Sequence, residues 1–143
     1  MPRIEGTKVG VDALGREVWS PILIVTMAIG ATAIQCPAIV DSGADVTVIP
    51  AEAVAAIGID YRTLPVGNVS SGAGGGFETR PLQLALSWQS WKLTGEMRIA
   101  EPTRLPVVLL GRCDFFQEFV VRFHWHKGPP EFHLDPVVAT RRR

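Results

Sequence analysis

The chain has little of what would send it toward nucleic acid, a metal or a membrane. Of its 143 residues, 14 are Lys or Arg and 14 are Asp or Glu, so the formal net charge is zero. No overall field draws in a polyanion or an anionic lipid surface. The one block of like charge is Arg141-Arg142-Arg143, which reads as a frayed tail and not as the clustered basic face of a nucleic-acid binder. Cys36 and Cys113 form no CxxC, and His124, His126 and His133 stand without a fourth ligand. That pattern argues against a zinc site, so no metal and no cofactor is expected, and the histidines read as solvent-facing strand residues. No apolar stretch of the secretory kind follows Met1, and a reducing cytoplasm is the expected location.

A long hydrophobic run is also missing. Pro21 to Val40 is almost free of charge and about the length of a membrane span. Pro21, Gly30, Gln35 and Pro37 interrupt it, however, and Gly30-Ala31-Thr32 makes a turn signal in its middle. Frequent β-branched residues then favour two strands, 22–29 and 33–40, both read as buried on both faces. No membrane partner is expected. The length suits one domain with a real core.

What is present is concentrated in three places. The first is Ala38-Ile39-Val40-Asp41-Ser42-Gly43-Ala44-Asp45-Val46-Thr47-Val48-Ile49, where a carboxylate, a hydroxyl and a glycine sit between two apolar runs. An extended segment would deliver Asp41 to a tight turn, and a second would carry the chain away. Apolar flanks imply that the carboxylate leaves water and needs a partner. Ser42 offers a hydroxyl, and Gly43 allows positive φ and a close backbone approach. An Asx-type turn between strands would use the same residues with no chemistry.

The second is Gly72-Ala73-Gly74-Gly75-Gly76-Phe77, four glycines in five positions. A phosphate loop would continue into Lys-Ser or Lys-Thr and a helix; here Glu78-Thr79-Arg80-Pro81 follows, which argues against a helix. A hairpin tip that approaches a ligand with its backbone is the remaining reading. The third is Val107-Val108-Leu109-Leu110-Gly111-Arg112-Cys113-Asp114, a buried-strand pattern that ends in an arginine needing a partner.

Around these, Pro50 to Gly58 predicts a short helix, with Pro at its start, Glu52 in the first turn and Gly58 at its end. Leu82, Leu84 and Leu86 alternate, as do Trp91 and Leu93, then Met97 and Ile99, so strand, turn and strand are expected, with Trp88 and Trp91 as core. Asp114 to Phe119 predicts a second short helix, and Val120–Trp125 with Glu131–Leu134 a last hairpin. Residues 8–19 predict a short hairpin or arm with no site content.

The first stretch resembles the active-site segment of the retroviral-type aspartic proteases, the retropepsins. Residues 70–80 are similar to that family's glycine-rich flap, and 107–114 to its second motif, an apolar run followed by Gly-Arg and an acid or amide. Cys113 departs from it by standing between Arg112 and Asp114. The resemblance covers roughly residues 20–125. It implies a mainly β fold, a single-domain retropepsin-like barrel with one or two short helices, assembled as a two-fold dimer. Residues 1–19 would be an arm, 20–136 the protease domain and 137–143 a basic tail.

It implies Asp41 as the catalytic residue. Ser42, Gly43, Asp45 and Arg112 would brace the turn, with Ser42 bonding across the interface and Asp45 pairing with Arg112. Gly43, Ala44 and Asp45 would floor the substrate cleft, and Gly72, Ala73, Gly74, Gly75, Gly76 and Phe77 would roof it. The chain holds only one Asp-Ser-Gly, whereas this chemistry needs two carboxylates sharing one proton. A homodimer acting on peptide between about pH 4 and 6 is therefore expected, its C-terminal strands in the interface. Two other readings stay open: a catalytically silent retropepsin-like module that dimerises or binds peptide, and a β-barrel domain whose Asp-Ser-Gly is only a turn.

Overall fold

The computed structural model describes residues 3–67, 69–72, 75–101 and 107–137. The predicted hairpin is present as β4 (Ile22–Ile29) and β5 (Thr32–Val40), turned at Gly30 with φ 59°. Eight cross-strand pairs hold it, from Ile22 opposite Ile39 to Ile29 opposite Thr32. Its burial is less complete than the apolar sequence suggests. Leu23, Val25 and Met27 point inward while Ile24 is 54% exposed, because alternation sends every second side chain to the outer face.

After Asp41 the chain turns and continues as β6 (Val48–Pro50) into α1 (Ala51–Ala55), with Pro50 as N-cap and Gly58 at φ 90° closing the far end. A 3-10 turn, Tyr61–Thr63, follows. Then come β7 (Val69–Gly72), the long β8 (Gly75–Trp88) and β9 (Trp91–Ala100). β10 (Val108–Leu110) leads into α2 (Phe115–Glu118), and β11 (Phe119–His124) and β12 (Glu131–Pro136) form the last hairpin.

Six strands close a barrel in the order β4-β5-β10-β6-β9-β8, with β8 returning to β4 through Thr26 opposite Ser87, Met27 opposite Leu86 and Ala28 opposite Ala85. β7 is appended to β8 alone. β10 runs parallel to β5 and antiparallel to β6, so the strand that reaches Asp41 and the strand that leaves it lie on either side of β10. That placement puts the Gly111-Arg112 end of β10 under the Asp41 turn. The core consists of Val25, Met27, Ile49, Leu86, Ile99 and Leu110 among others, and its floor is aromatic. Trp91 meets Phe115 edge-on with ring centroids 5.1 Å apart, and Trp88 meets Phe119 at 6.1 Å.

Outside the barrel, β1 (Arg3–Glu5) pairs with β12, giving a sheet in the order β1-β12-β11. β2 (Thr7–Val11) and β3 (Glu17–Ser20) form the predicted hairpin by themselves. The histidines correct the solvent-facing expectation. His126 is exposed, but His124 and His133 are half-buried with rings 4.5 Å apart, and His133 Nε2 lies 2.8 Å from Glu131 Oε2. The hairpin packs both rings against each other, since neighbouring strands bring them to one face. Among the described residues no cluster of three or more His, Cys, Asp or Glu could hold a metal ion, and no helix is long and apolar enough to cross a membrane.

Candidate active site

The Asp41 turn is held almost entirely by backbone groups. Asp41 N–H donates to the Leu110 carbonyl (3.1 Å), Arg112 N–H to the Ala44 carbonyl (2.9 Å) and Cys113 N–H to the Asp45 carbonyl (2.7 Å). Within the turn, Ala44 N–H donates to the Asp41 carbonyl at 3.2 Å. Three ladder-like bonds thus tie residues 41–45 to residues 110–113, which the sequence places almost seventy positions away. The partner of the Asp41 carboxylate is the Gly43 N–H, 2.8 Å from Oδ1.

Two expectations change here. The carboxylate is half-buried, not withdrawn from water, because the buried Val40 ends the strand and Asp41 stands at the open end of the barrel. Gly43 is not among the glycines at positive φ. Its value is closeness: a Cβ there would stand 3.2 Å from Asp41 Oδ1, against the group its N–H serves. Ser42 is exposed and makes no hydrogen bond to the Asp41 carboxylate.

Arg112 reaches Asp45, its Nη2 bonded to Oδ1, but the pair lies in solvent, with side chains 54% and 77% exposed. The burial that the strand pattern suggests for Arg112 stops at Gly111. The inner contact is one that the sequence did not single out. Thr47, only 3% exposed, donates its N–H to Asp114 Oδ2 (3.1 Å) and its hydroxyl to Asp114 Oδ1 (2.5 Å). Gly111 N–H in turn donates to Thr47 Oγ1 (3.2 Å), and Asp114 caps α2 by accepting from Phe115 N–H (2.7 Å).

One threonine and one aspartate therefore join the exit of the turn, the end of β10 and the start of α2. The signal available in the sequence was a lone hydroxyl in an apolar run, Val46-Thr47-Val48, and an acid just before Phe115-Phe116. Cys113, the extra residue of the second motif, gives its N–H to the Asp45 carbonyl, and Asp114 after it both caps the helix and meets Thr47. Gly111 cannot be larger, since a Cβ there would come within 2.4 Å of the Val46 carbonyl carbon.

A cavity of about 410 Å³ opens beside the exit of the turn, lined by Val46, Thr47, Pro81, Leu93, Met97 and Arg98 among others. The glycine-rich hairpin is formed by β7 and the first residues of β8, with Ser71 opposite Gly76 and Gly72 opposite Gly75. Ala73, Gly74 and the side chain of Phe77, all assigned to the cleft roof from sequence, lie outside the described residues, as do Leu105, Pro106 and the tail 138–143.

A family model described as aspartyl protease matches residues 25–112, which include Asp41 and Arg112. The fold is similar to a retropepsin-like aspartic protease from Rickettsia conorii (TM-score 0.59, 14% identity, 93% of this chain and 99% of that one). It is also similar to the EIAV protease solved with the inhibitor HBY-793 (TM-score 0.55, 22% identity, 68% of this chain and 86% of that one). No curated protein matches the chain.

Proposed function

This chain belongs to the retropepsin-like aspartyl protease family, and from that premise we propose that it is a homodimeric aspartic endopeptidase. The observation that carries the proposal is the Asp41 turn. One half-buried carboxylate stands at the open end of the barrel, pinned by backbone bonds to β10, with its N–H partner in place. A single carboxylate cannot act as both acid and base, so the site is completed by Asp41 of a second copy across a two-fold axis.

In the dimer the two carboxylates share one proton. The ionised one takes a proton from water as it attacks the scissile carbonyl, and the protonated one donates to the carbonyl oxygen, giving a tetrahedral diol. The proton taken from water then passes to the nitrogen while the other carboxylate takes back a hydroxyl proton, and the C–N bond breaks to release amine and acid. Ser42, exposed in the single chain, is assigned to bond across the interface, where the second copy supplies its partner. Gly43, Ala44 and Asp45 floor the cleft, and the hairpin 72–77 lies over an extended peptide, offering backbone bonds in the manner of an added strand. Asp45 and Arg112 brace the floor. The protease domain spans 20–136, with 1–19 as arm and 137–143 as tail.

Cleavage of a mixed peptide library between pH 4 and 7 tests this. The wild type is expected to cleave and Asp41→Ala to lose all activity while keeping its fold. A folded wild type that cleaves nothing would favour the silent binding module.

A further inference from the structure

We propose that Tyr61, Glu78 and Arg80 form a clasp that fixes the root of the glycine-rich hairpin, which makes them positioning residues for the chain the hairpin covers. The consequence for substrate rests on the protease reading; the clasp itself does not. β8 changes partner at one point. Glu78 is its last residue paired with β7, opposite Val69, and Thr79 is its first paired with β9, opposite Ala100. Beyond Glu78 toward the tip, β8 has only β7 beside it. A two-stranded, glycine-rich ribbon is marginal by itself, so its direction is set where it joins the barrel.

That junction is gripped by side chains and by a close backbone approach. Glu78 and Arg80, two apart on a strand, share one face. Tyr61, buried in the 3-10 turn, donates its hydroxyl to Glu78 Oε1 at 3.0 Å. The Arg80 guanidinium lies over the Tyr61 ring, 4.8 Å from its centroid, and Arg80 Nη2 is 3.6 Å from the same Glu78 oxygen. Arg80 Nη1 also donates to the carbonyls of Arg62 (3.3 Å) and Leu64 (3.2 Å). The backbone at Gly67 also comes so close to β8 that a Cβ there would stand 2.1 Å from the Thr79 carbonyl oxygen. Burial, and then the bond to Glu78, push the Tyr61 hydroxyl above its ordinary range, as a donor held in this contact requires.

One terminal nitrogen of the guanidinium meets both carbonyls while the other faces Glu78 and the plane lies over the Tyr61 ring. A lysine ammonium, a single nitrogen with no plane, cannot make all three contacts together. Hydrogen exchange on the full chain tests the clasp without any substrate. Tyr61→Phe removes one hydroxyl and little volume. It is expected to speed amide exchange in 69–72 and 75–78 about five- to tenfold, the size of one lost hydrogen bond, and to leave 22–40 and 91–100 unchanged. Arg80→Lys is expected to match Arg80→Met and not the wild type. Where peptide is cleaved, KM rises by a similar factor in Tyr61→Phe with kcat nearly constant. Unchanged exchange in the hairpin, an equal rise across the barrel, or full rescue by lysine would overturn the clasp. Absence of cleavage in the wild type would defeat the protease reading while the exchange result still decides this one.

Discussion

Two side-chain bridges span the same gap, from the Asp41 turn to the segment after β10, and they differ in nearly everything else. Asp45 to Arg112 is a pair of full charges in water. Thr47 to Asp114 is a hydroxyl and an N–H on a carboxylate, enclosed by the barrel end and shared with Gly111 and Phe115. Exposed ion pairs contribute roughly 0–1 kcal/mol because water and salt already solvate both partners. Removing the acceptor leaves the two donors of buried Thr47 unsatisfied, at about 1–3 kcal/mol apiece before relaxation, whereas Phe115 N–H keeps the Gly111 carbonyl. The bridge that carries the stronger charges is therefore the weaker one in the single chain, and of the two the inner bridge adds more to the backbone bonds that hold the turn.

The largest effect is expected where neither bridge can form. Gly111→Ala drives a Cβ into the Val46 backbone and is expected to cost on the order of 4 kcal/mol or more, read as loss of the cooperative urea transition. Asp114→Ala comes next, at about 2–4 kcal/mol, because it strips Thr47 and the α2 cap together. Thr47→Ser, which keeps the hydroxyl, should lose much less than Thr47→Val. Arg112→Ala is the smallest, within about 1 kcal/mol at matched protein concentration, and its cost should fade in 1 M salt while that of Asp114→Ala persists. Equal costs for Arg112→Ala and Asp114→Ala would erase the contrast between the two bridges.

The same pair shows what a sequence can and cannot reveal. Asp45 with Arg112 was reachable because both stand in short motifs with a family resemblance. Thr47 with Asp114 was not, although it spans the same 67 positions, since a threonine in a β-branched run reads as strand and offers no charge that asks for a partner. The hairpin 22–40 was legible from its turn residues and its β-branched content, though the alternation that exposes Ile24 was not. Its end was not: apolar residues on both sides suggested a buried Asp41, while the residue is only half-buried and bonded to the Gly43 N–H.

β1 carries three residues without a pattern, and only pairing with β12 makes it a strand. The continuity of β8 was hidden by Pro81, which sits before the point where β4 joins. There β8 has β9 alone as a neighbour, so a missing N–H on the other side costs no ladder bond. The clasp at its root escaped notice because Tyr61 comes from a 3-10 turn that no periodicity announces.

Asp41 is proposed as half of a site. Subunit mixing tests it most directly: folded Asp41→Asn chains are added in equal amount to wild type, allowed to exchange partners, and peptide cleavage is followed. Random pairing into two-fold dimers predicts that total activity falls by about half. Activity that stays unchanged, with exchange verified, would contradict the shared dyad and show that one chain acts alone.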